Sequence, residues 1–174
     1  FRETQLPATA LDQASQQFHF PPQPAGLCGI SQGGAIVLQA AAADPQRWKA
    51  VAELSSFAEL DAVIANQAHR WFGPLQSPAR IIVSRLVQWR AGYEPANIRP
   101  IDAIAKLTTT PVLIGHGDAD RFVTPDHAKR LFDATPSASK QFLTISAANH
   151  HNVLITAQPV YAKLGKYFWN ALAP

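Results

Sequence analysis

The sequence predicts an α/β fold, with a mostly parallel sheet covered by helices on both faces. Short apolar segments alternate with helical patterns along the 174 residues, which is typical of strand–helix–strand units. In the clearest unit, an apolar run at 25–30 leads through Gly29-Ile30-Ser31-Gln32-Gly33 into an alanine-rich helix at 32–43. Further buried strands are predicted at 50–54, 111–116 and 141–145, and further helices at 125–134 and 159–172.

The composition is that of one globular domain. Hydrophobic residues make up 47% of the chain, and no apolar run approaches the ~20 residues needed to span a bilayer. The net charge is +3, but the positive residues are scattered, so we expect no nucleic-acid partner. The single cysteine, Cys28, lies in the apolar run before Ser31 and is expected to be a buried thiol. Since no C-x-x-C or H-E-x-x-H spacing occurs, we predict no metal and no cofactor.

Ser31 stands where a strand turns sharply into a helix, and this turn predicts a nucleophile. So tight a turn strains the backbone, and Gly29 and Gly33 would remove Cβ atoms that otherwise collide. The hydroxyl is then held at the carboxyl edge of the sheet, and the backbone N–H of Gln32 points towards the group under attack. The positive end of the helix adds to that field. This arrangement is the nucleophile elbow of a serine hydrolase; the alternative is a glycine-rich turn that packs a helix tightly on a sheet.

Candidate acids and bases follow the third and fourth strands. Asp118 and Asp120 come after the strand at 111–116, and His150 comes after the strand at 141–145. Because the carboxyl ends of parallel strands share one edge, these side chains should converge on Ser31. A serine hydroxyl needs a histidine to remove its proton and a carboxylate to orient that histidine. The order Ser, Asp, His is the one expected of α/β-hydrolases.

The sequence resembles the C-terminal part of an α/β-hydrolase, close to the prolyl-oligopeptidase-like and serine-aminopeptidase-like branch. The matching stretches are GLCGISQGGA, IRPIDAIAKLTTTPVLIGHGDADRFVTPDHAKRLF and SAANHHNVL. In the family pattern, H-G-x-x-D implies Asp120 as the acid, and the A-G-H-N-like turn implies His150 as the base, with Asn149 in place of glycine. The resemblance implies a serine hydrolase that cleaves a small-molecule ester or a peptide bond with Ser31, Asp120 and His150.

Two alternatives for the acid remain open. Asp118 is expected to cap its own turn through its side chain. Some hydrolases of this fold take the acid from the segment after the preceding strand, which would mean Glu59 or Asp61.

Two further interpretations concern the histidines. His151 adjoins His150 and could exchange roles with it. His116, Asp118 and Asp120 could suggest a metal cluster, but three ligands on one strand end rarely converge, so we predict no metal there.

Residues 56–107 interrupt the alternation of strands and helices and are predicted to form a lid-like helical insertion. Helical patterns occur at 59–70 and 78–90, and apolar residues are dense around them. They either line an acyl pocket or pack an ordinary core. The candidates for substrate contact are Phe57, Trp71 and Phe72.

Arginines are concentrated in the same region. Five of the nine lie between Ser55 and Arg99, where the only acids are Glu59, Asp61 and Glu94. Positive charge near a site would attract anionic substrates or surfaces. The spacing of five residues between three of these arginines spirals around a helix, which favours a solvated face.

The segment before Ser31 is shorter than the resemblance implies. That family pattern includes several strands before the serine, with a loop that supplies a second oxyanion N–H, whereas residues 1–20 read as a loop and a polar helix. We therefore expect residues 1–174 to be one α/β-hydrolase domain truncated at its N-terminus. The alternative function is a non-catalytic remnant or binding module without a complete oxyanion hole.

Overall fold

The computed structural model describes residues 2–20, 25–154 and 158–173. Within them, four parallel strands form one sheet in which each strand lies beside the next in sequence. The strands are β1 (Ala25–Ile30), β2 (Trp48–Leu54), β3 (Val112–Gly117) and β4 (Lys140–Ile145). The helices are α1 (Leu6–Phe18), α2 (Gln32–Ala43), α3 (Leu60–Phe72), α4 (Gln76–Ala91), α5 (Pro100–Ile104), α6 (Pro125–Ala134) and α7 (Gln158–Leu172).

The predicted parallel sheet with helices on both faces is confirmed. Successive side chains of a strand point to opposite faces, so a strand between two helical layers is apolar throughout. Strand β2 is apolar on both faces apart from exposed Lys49 and buried Glu53: Val51 packs towards α2 and α6, whereas Ala50 and Leu54 pack towards α7. Because all four strands run the same way, their carboxyl ends meet at one edge of the sheet.

Strand β1 is less covered than predicted. Among the described residues it pairs with β2 alone and therefore forms an edge of the sheet. On its α7 side, Phe168 covers Gly26, but Cys28 is exposed. The prediction of a buried thiol was wrong because an apolar strand is buried only where a neighbouring element covers it.

Helix α6 begins at Pro125, as predicted. The side chain of Thr124 makes no capping hydrogen bond. Its carbonyl oxygen instead accepts the N–H of His127 at 3.0 Å. The extended backbone of Thr124, followed by proline at the first helical position, starts the helix without the hydroxyl.

The segment between β2 and β3 contains a helical hairpin, followed by a stretch that packs in the core. Helix α3 buries Val63 and Ala68, whereas α4 buries no residue. Beyond the hairpin, Ile104 and Leu107 are fully buried in the same cluster as α2. A lid role for residues 56–107 remains a prediction.

In the described ranges, no helix combines the length and the apolarity needed to cross a membrane.

Candidate active site

The backbone at Ser31 is held in a strained conformation between β1 and α2. Its φ is 53° and its ψ is −119°, and its N–H donates to the carbonyl oxygen of Leu54 at 2.8 Å. A Cβ at Gly29 would lie 2.2 Å from the carbonyl oxygen of Gly33, so the strand side of the turn requires glycine. The prediction for Gly33 itself was wrong, since a Cβ there would meet nothing within 4 Å. The close approach on the helix side occurs at Gly34, whose Cβ would lie 2.8 Å from Cβ of Ser56.

Three predicted side chains lie in hydrogen-bond contact at the carboxyl edge of the sheet. Ser31 Oγ lies 2.9 Å from His150 Nε2, and His150 Nδ1 lies 2.8 Å from Asp120 Oδ2. An ionised carboxylate only accepts hydrogen bonds, so Nδ1 carries the ring proton and donates it to Asp120. Nε2 is then left with a lone pair directed at the hydroxyl of Ser31. This geometry allows His150 to take a proton from Ser31.

Asp120 is held as a buried carboxylate. Burial by itself would raise its pKa, but hydrogen bonds from His150 and from two backbone N–H groups outweigh burial and lower the pKa below its usual value. The backbone donors are Phe122 at 2.8 Å and Val123 at 3.0 Å, and both bind Oδ1. With Oδ1 held from the other side, Oδ2 faces His150. Asp120 is therefore ionised at neutral pH and oriented by its own loop.

His116 stabilises this loop through a hydrogen bond and is not arranged as a metal ligand. It is buried, and burial lowers its pKa, so the ring is neutral. Its Nε2 donates to the carbonyl oxygen of Val123 at 2.9 Å and lies 3.5 Å from Asp120 Oδ2. Within the described part of the chain, no group of three or more potential ligand side chains is arranged to hold a metal ion.

The loop that carries His150 is tied to the end of β3. Asp118 Oδ1 accepts the N–H of Ala147 at 2.7 Å, so the prediction that Asp118 caps its own turn was wrong. Ala119 donates its N–H to the carbonyl oxygen of Ala148 at 3.0 Å. Asn149, which replaces the glycine of the family pattern, accepts the N–H of His151 through its side chain. Its backbone φ is not positive, so this replacement introduces no strain there.

The alternative candidates lie apart from this hydrogen-bonded group. His151 is exposed and contacts His150 edge-on, with ring centroids 5.8 Å apart. Glu59 is bound by Arg130 and Arg99, and Asp61 is bound by Arg80. Neither carboxylate makes a hydrogen bond to His150.

An apolar cavity of about 430 Å³ adjoins Ser31. None of its lining residues is charged, although α4 and its neighbours are rich in arginine. Phe57, Trp71 and Phe72 all line it, but their environments differ: Phe57 is buried, whereas Trp71 and Phe72 are exposed at the rim. Most of the wall was not among the predicted substrate contacts: it is contributed by Leu60, Val63, Ile64, Ala68, Val83, Tyr93, Ile98, Phe122 and Val123.

Gln32 lines the same cavity next to Ser31. As the first residue of α2 it has a backbone N–H without a partner inside the helix. That N–H lies at the positive end of the helix, where a negative oxygen would be stabilised. Its role as an oxyanion donor remains a prediction.

A model of the prolyl oligopeptidase family matches residues 8–172. The chain belongs to that family. The predicted resemblance is thereby confirmed, and membership in the family supports a hydrolase. It does not decide which residues react or what the substrate is. No curated protein matches the chain significantly.

Solved structures that resemble this member of the prolyl oligopeptidase family confirm that it has the α/β-hydrolase fold. The 2,6-dihydroxy-pseudo-oxynicotine hydrolase superimposes with a TM-score of 0.70 at 18% identity, over 98% of this chain and 46% of its own. DcsB, in complex with its substrate analogue, gives a TM-score of 0.68 at 18% identity, over 97% of this chain and 72% of its own. The esterase domain from a Rhodothermus marinus protein gives 0.63 at 23% identity, over 94% and 66%. At these identities the likeness concerns the fold alone.

Beneath the turn at Ser31, this family member buries an unusual carboxyl group. Glu53 is fully buried on β2, paired in register with Gly29, and burial raises its pKa from an ordinary 4.5 to about 8. Its Oε2 accepts the N–H of Ser56 at 3.0 Å, whereas its Oε1 has no hydrogen-bond partner among the described residues. With a pKa of about 8, Glu53 is mostly protonated at neutral pH.

We expect Glu53 to make the free energy of unfolding pH-dependent. The unfolded chain loses this proton near the ordinary pKa, whereas the folded chain keeps it until about pH 8, so the contribution of Glu53 to stability falls as the pH rises through this window. Buried His116 and His127, whose pKa values are lowered, contribute in the opposite direction below their ordinary pKa. The slope is about 1.4 kcal/mol per pH unit, which amounts to a few kcal/mol in all. Glu53→Gln should remove this slope. Urea unfolding at several pH values across the window measures it.

Glu94→Gln is the matched control, since Glu94 is exposed and its replacement should leave the slope unchanged. A Glu53→Gln variant with the wild-type slope would show that Glu53 is already ionised in the folded protein at neutral pH.

Proposed function

We propose that this chain is a serine hydrolase in which Ser31 is the nucleophile, His150 the base and Asp120 the orienting acid. The observation that carries the proposal is the continuous hydrogen-bonded contact from Ser31 Oγ through His150 to Asp120 Oδ2. The substrate is an ester or a peptide bond. Its acyl side is neutral and apolar, because the cavity beside Ser31 has no charged lining residue.

The reaction follows from this geometry. As Ser31 Oγ forms a bond to the carbonyl carbon, its proton passes to His150 Nε2. Asp120 stabilises the positive charge that forms on the imidazole, and the N–H of Gln32 donates to the oxygen that becomes negative. Collapse of the tetrahedral intermediate breaks the bond to the leaving group, which takes the proton from His150. Water, deprotonated in turn by His150, then attacks the acyl-enzyme, releases the acid and restores Ser31.

The apolar lining of the cavity favours an uncharged acyl group over a charged one beside Ser31. Buried Phe57 and Val63 form part of its inner wall, and exposed Trp71 and Phe72 form its rim. Apolar groups gain about 25 cal/mol for each Å² that such walls remove from water, whereas a charge would lose its hydration without gaining a partner. The nearby arginines therefore do not select for an anionic acyl group.

An alkyl fluorophosphonate tests the nucleophile directly. The reagent should form a covalent bond to Ser31 Oγ, detected by mass spectrometry on the peptide that contains it, and labelling should disappear in Ser31→Ala. Ser55 and Ser56 are internal controls, since both are fully buried and should stay unlabelled. A folded protein that takes up no label at Ser31 would contradict the proposed function and favour a binding module.

A further inference from the structure

The hairpin of α3 and α4 carries an unusual concentration of exposed apolar side chains. Of the fifteen large hydrophobic residues exposed in the described ranges, seven lie between 71 and 89. Single exposed apolar residues are ordinary, but a concentrated group marks a surface that contacts something other than water. The seven are Trp71, Phe72, Leu75, Ile81, Ile82, Leu86 and Trp89.

Four of these residues, Ile81, Ile82, Leu86 and Trp89, lie on helix α4, and none of the four lines the cavity beside Ser31. Val83 lines the cavity and Arg80 binds Asp61 on α3, so these two residues define the inner side. Ile82, Leu86 and Trp89 follow the i, i+4, i+7 spacing of a single helical stripe, and all three are exposed and absent from the cavity lining. We call this stripe the outer face of α4. Trp89 is 80% exposed, and no residue of α4 is buried.

The charge of α4 favours an anionic partner. The helix contains three arginines and no acidic residue. Arg80 is neutralised by Asp61, but Arg85 and Arg90 form no ion pair with any described residue. A second copy of this chain, paired through the same outer face, would bring arginines towards arginines without an acid on either helix. Such a pair would be opposed by like charge.

We infer that the outer face of α4 docks this protein on an anionic lipid surface. A bilayer with anionic headgroups offers both features that the face requires, an apolar layer for Ile82, Leu86 and Trp89 and negative charge for Arg85 and Arg90. Tryptophan is also enriched where a membrane meets water.

Vesicle co-sedimentation tests the inference without reference to catalysis. Wild type and Ser31→Ala should both bind vesicles of equal parts phosphatidylcholine and phosphatidylglycerol, and neither should bind phosphatidylcholine alone. Binding should weaken in ~1 M salt, where the Debye length falls to ~3 Å. Leu86→Ser/Trp89→Ser should lower the partition coefficient more than tenfold. Arg85→Gln/Arg90→Gln should lower it about fivefold per arginine removed.

Helix α7 provides matched control substitutions. Trp169 is 77% exposed, and Lys163 and Lys166 are exposed on the same helix. Trp169→Ser and Lys163→Gln/Lys166→Gln should leave vesicle binding unchanged. An equal loss in these variants would overturn the inference in favour of unspecific attraction by a basic protein. Absence of wild-type binding, or a dimer in sedimentation velocity that Leu86→Ser/Trp89→Ser dissociates, would overturn it as well.

Discussion

Replacing His150 by alanine is expected to lower kcat on an ester substrate by on the order of 10⁵–10⁶, with little change in substrate binding. The reason is that Ser31 Oγ lies 2.9 Å from His150 Nε2 and has no other base within hydrogen-bond distance among the described side chains. Without that base the hydroxyl keeps its proton and remains a poor nucleophile. Steady-state kinetics and fluorophosphonate labelling of Ser31 should both show the loss.

His151→Ala is the matched control, because it removes the same side chain from the neighbouring position. His151 is exposed and is not bonded to Ser31 or Asp120, so this variant should retain activity close to that of the wild type. If His151→Ala lost activity while His150→Ala kept it, the assignment of the base would be reversed.

Replacing Asp120 by asparagine is expected to lower kcat by about 10⁴. Asparagine can keep the bonds from the N–H groups of Phe122 and Val123, so the loop should stay folded. It carries no negative charge to stabilise the imidazolium, and its amide can donate to Nδ1 and favour the wrong tautomer of His150. Measurement of kcat and KM separately distinguishes this effect from weaker substrate binding.

Asp61→Asn provides the comparison for the alternative acid. Asp61 binds Arg80 on the surface of the hairpin, so its replacement should change kcat very little. Near-normal turnover in Asp120→Asn together with a loss in Asp61→Asn would transfer the role of the acid to the segment after β2.

Local sequence patterns were sufficient for the four strands and for the residues at the sheet edge, whereas the short helix α5 was not predicted. Apolar runs bounded by turn residues placed the four strands within two residues of their ends. The parallel arrangement then required Ser31, Asp120 and His150 to lie at one edge. These inferences succeed because strand periodicity and the geometry of parallel sheets are local or topological properties, which need no knowledge of side-chain packing.

The tertiary structure alone decided which contacts each side chain makes. Asp118 binds the distant N–H of Ala147 and not its own turn, and Cys28 is exposed because β1 is an edge strand among the described residues. Phe122 was missed as a cavity residue, although it follows Asp120 by two positions and could have been suspected from that spacing. Each of these outcomes depends on which segment packs against the residue, and segments far apart in sequence supply that partner.

The chain by itself therefore determined an α/β-hydrolase fold and the three residues on which the proposed chemistry depends. Only the tertiary structure decided that these residues are within hydrogen-bond distance, that the cavity beside Ser31 is uncharged, and that α4 turns its apolar stripe outward. The physical reason is that sequence periodicity specifies the faces of an element, whereas the burial of a face depends on the elements that surround it.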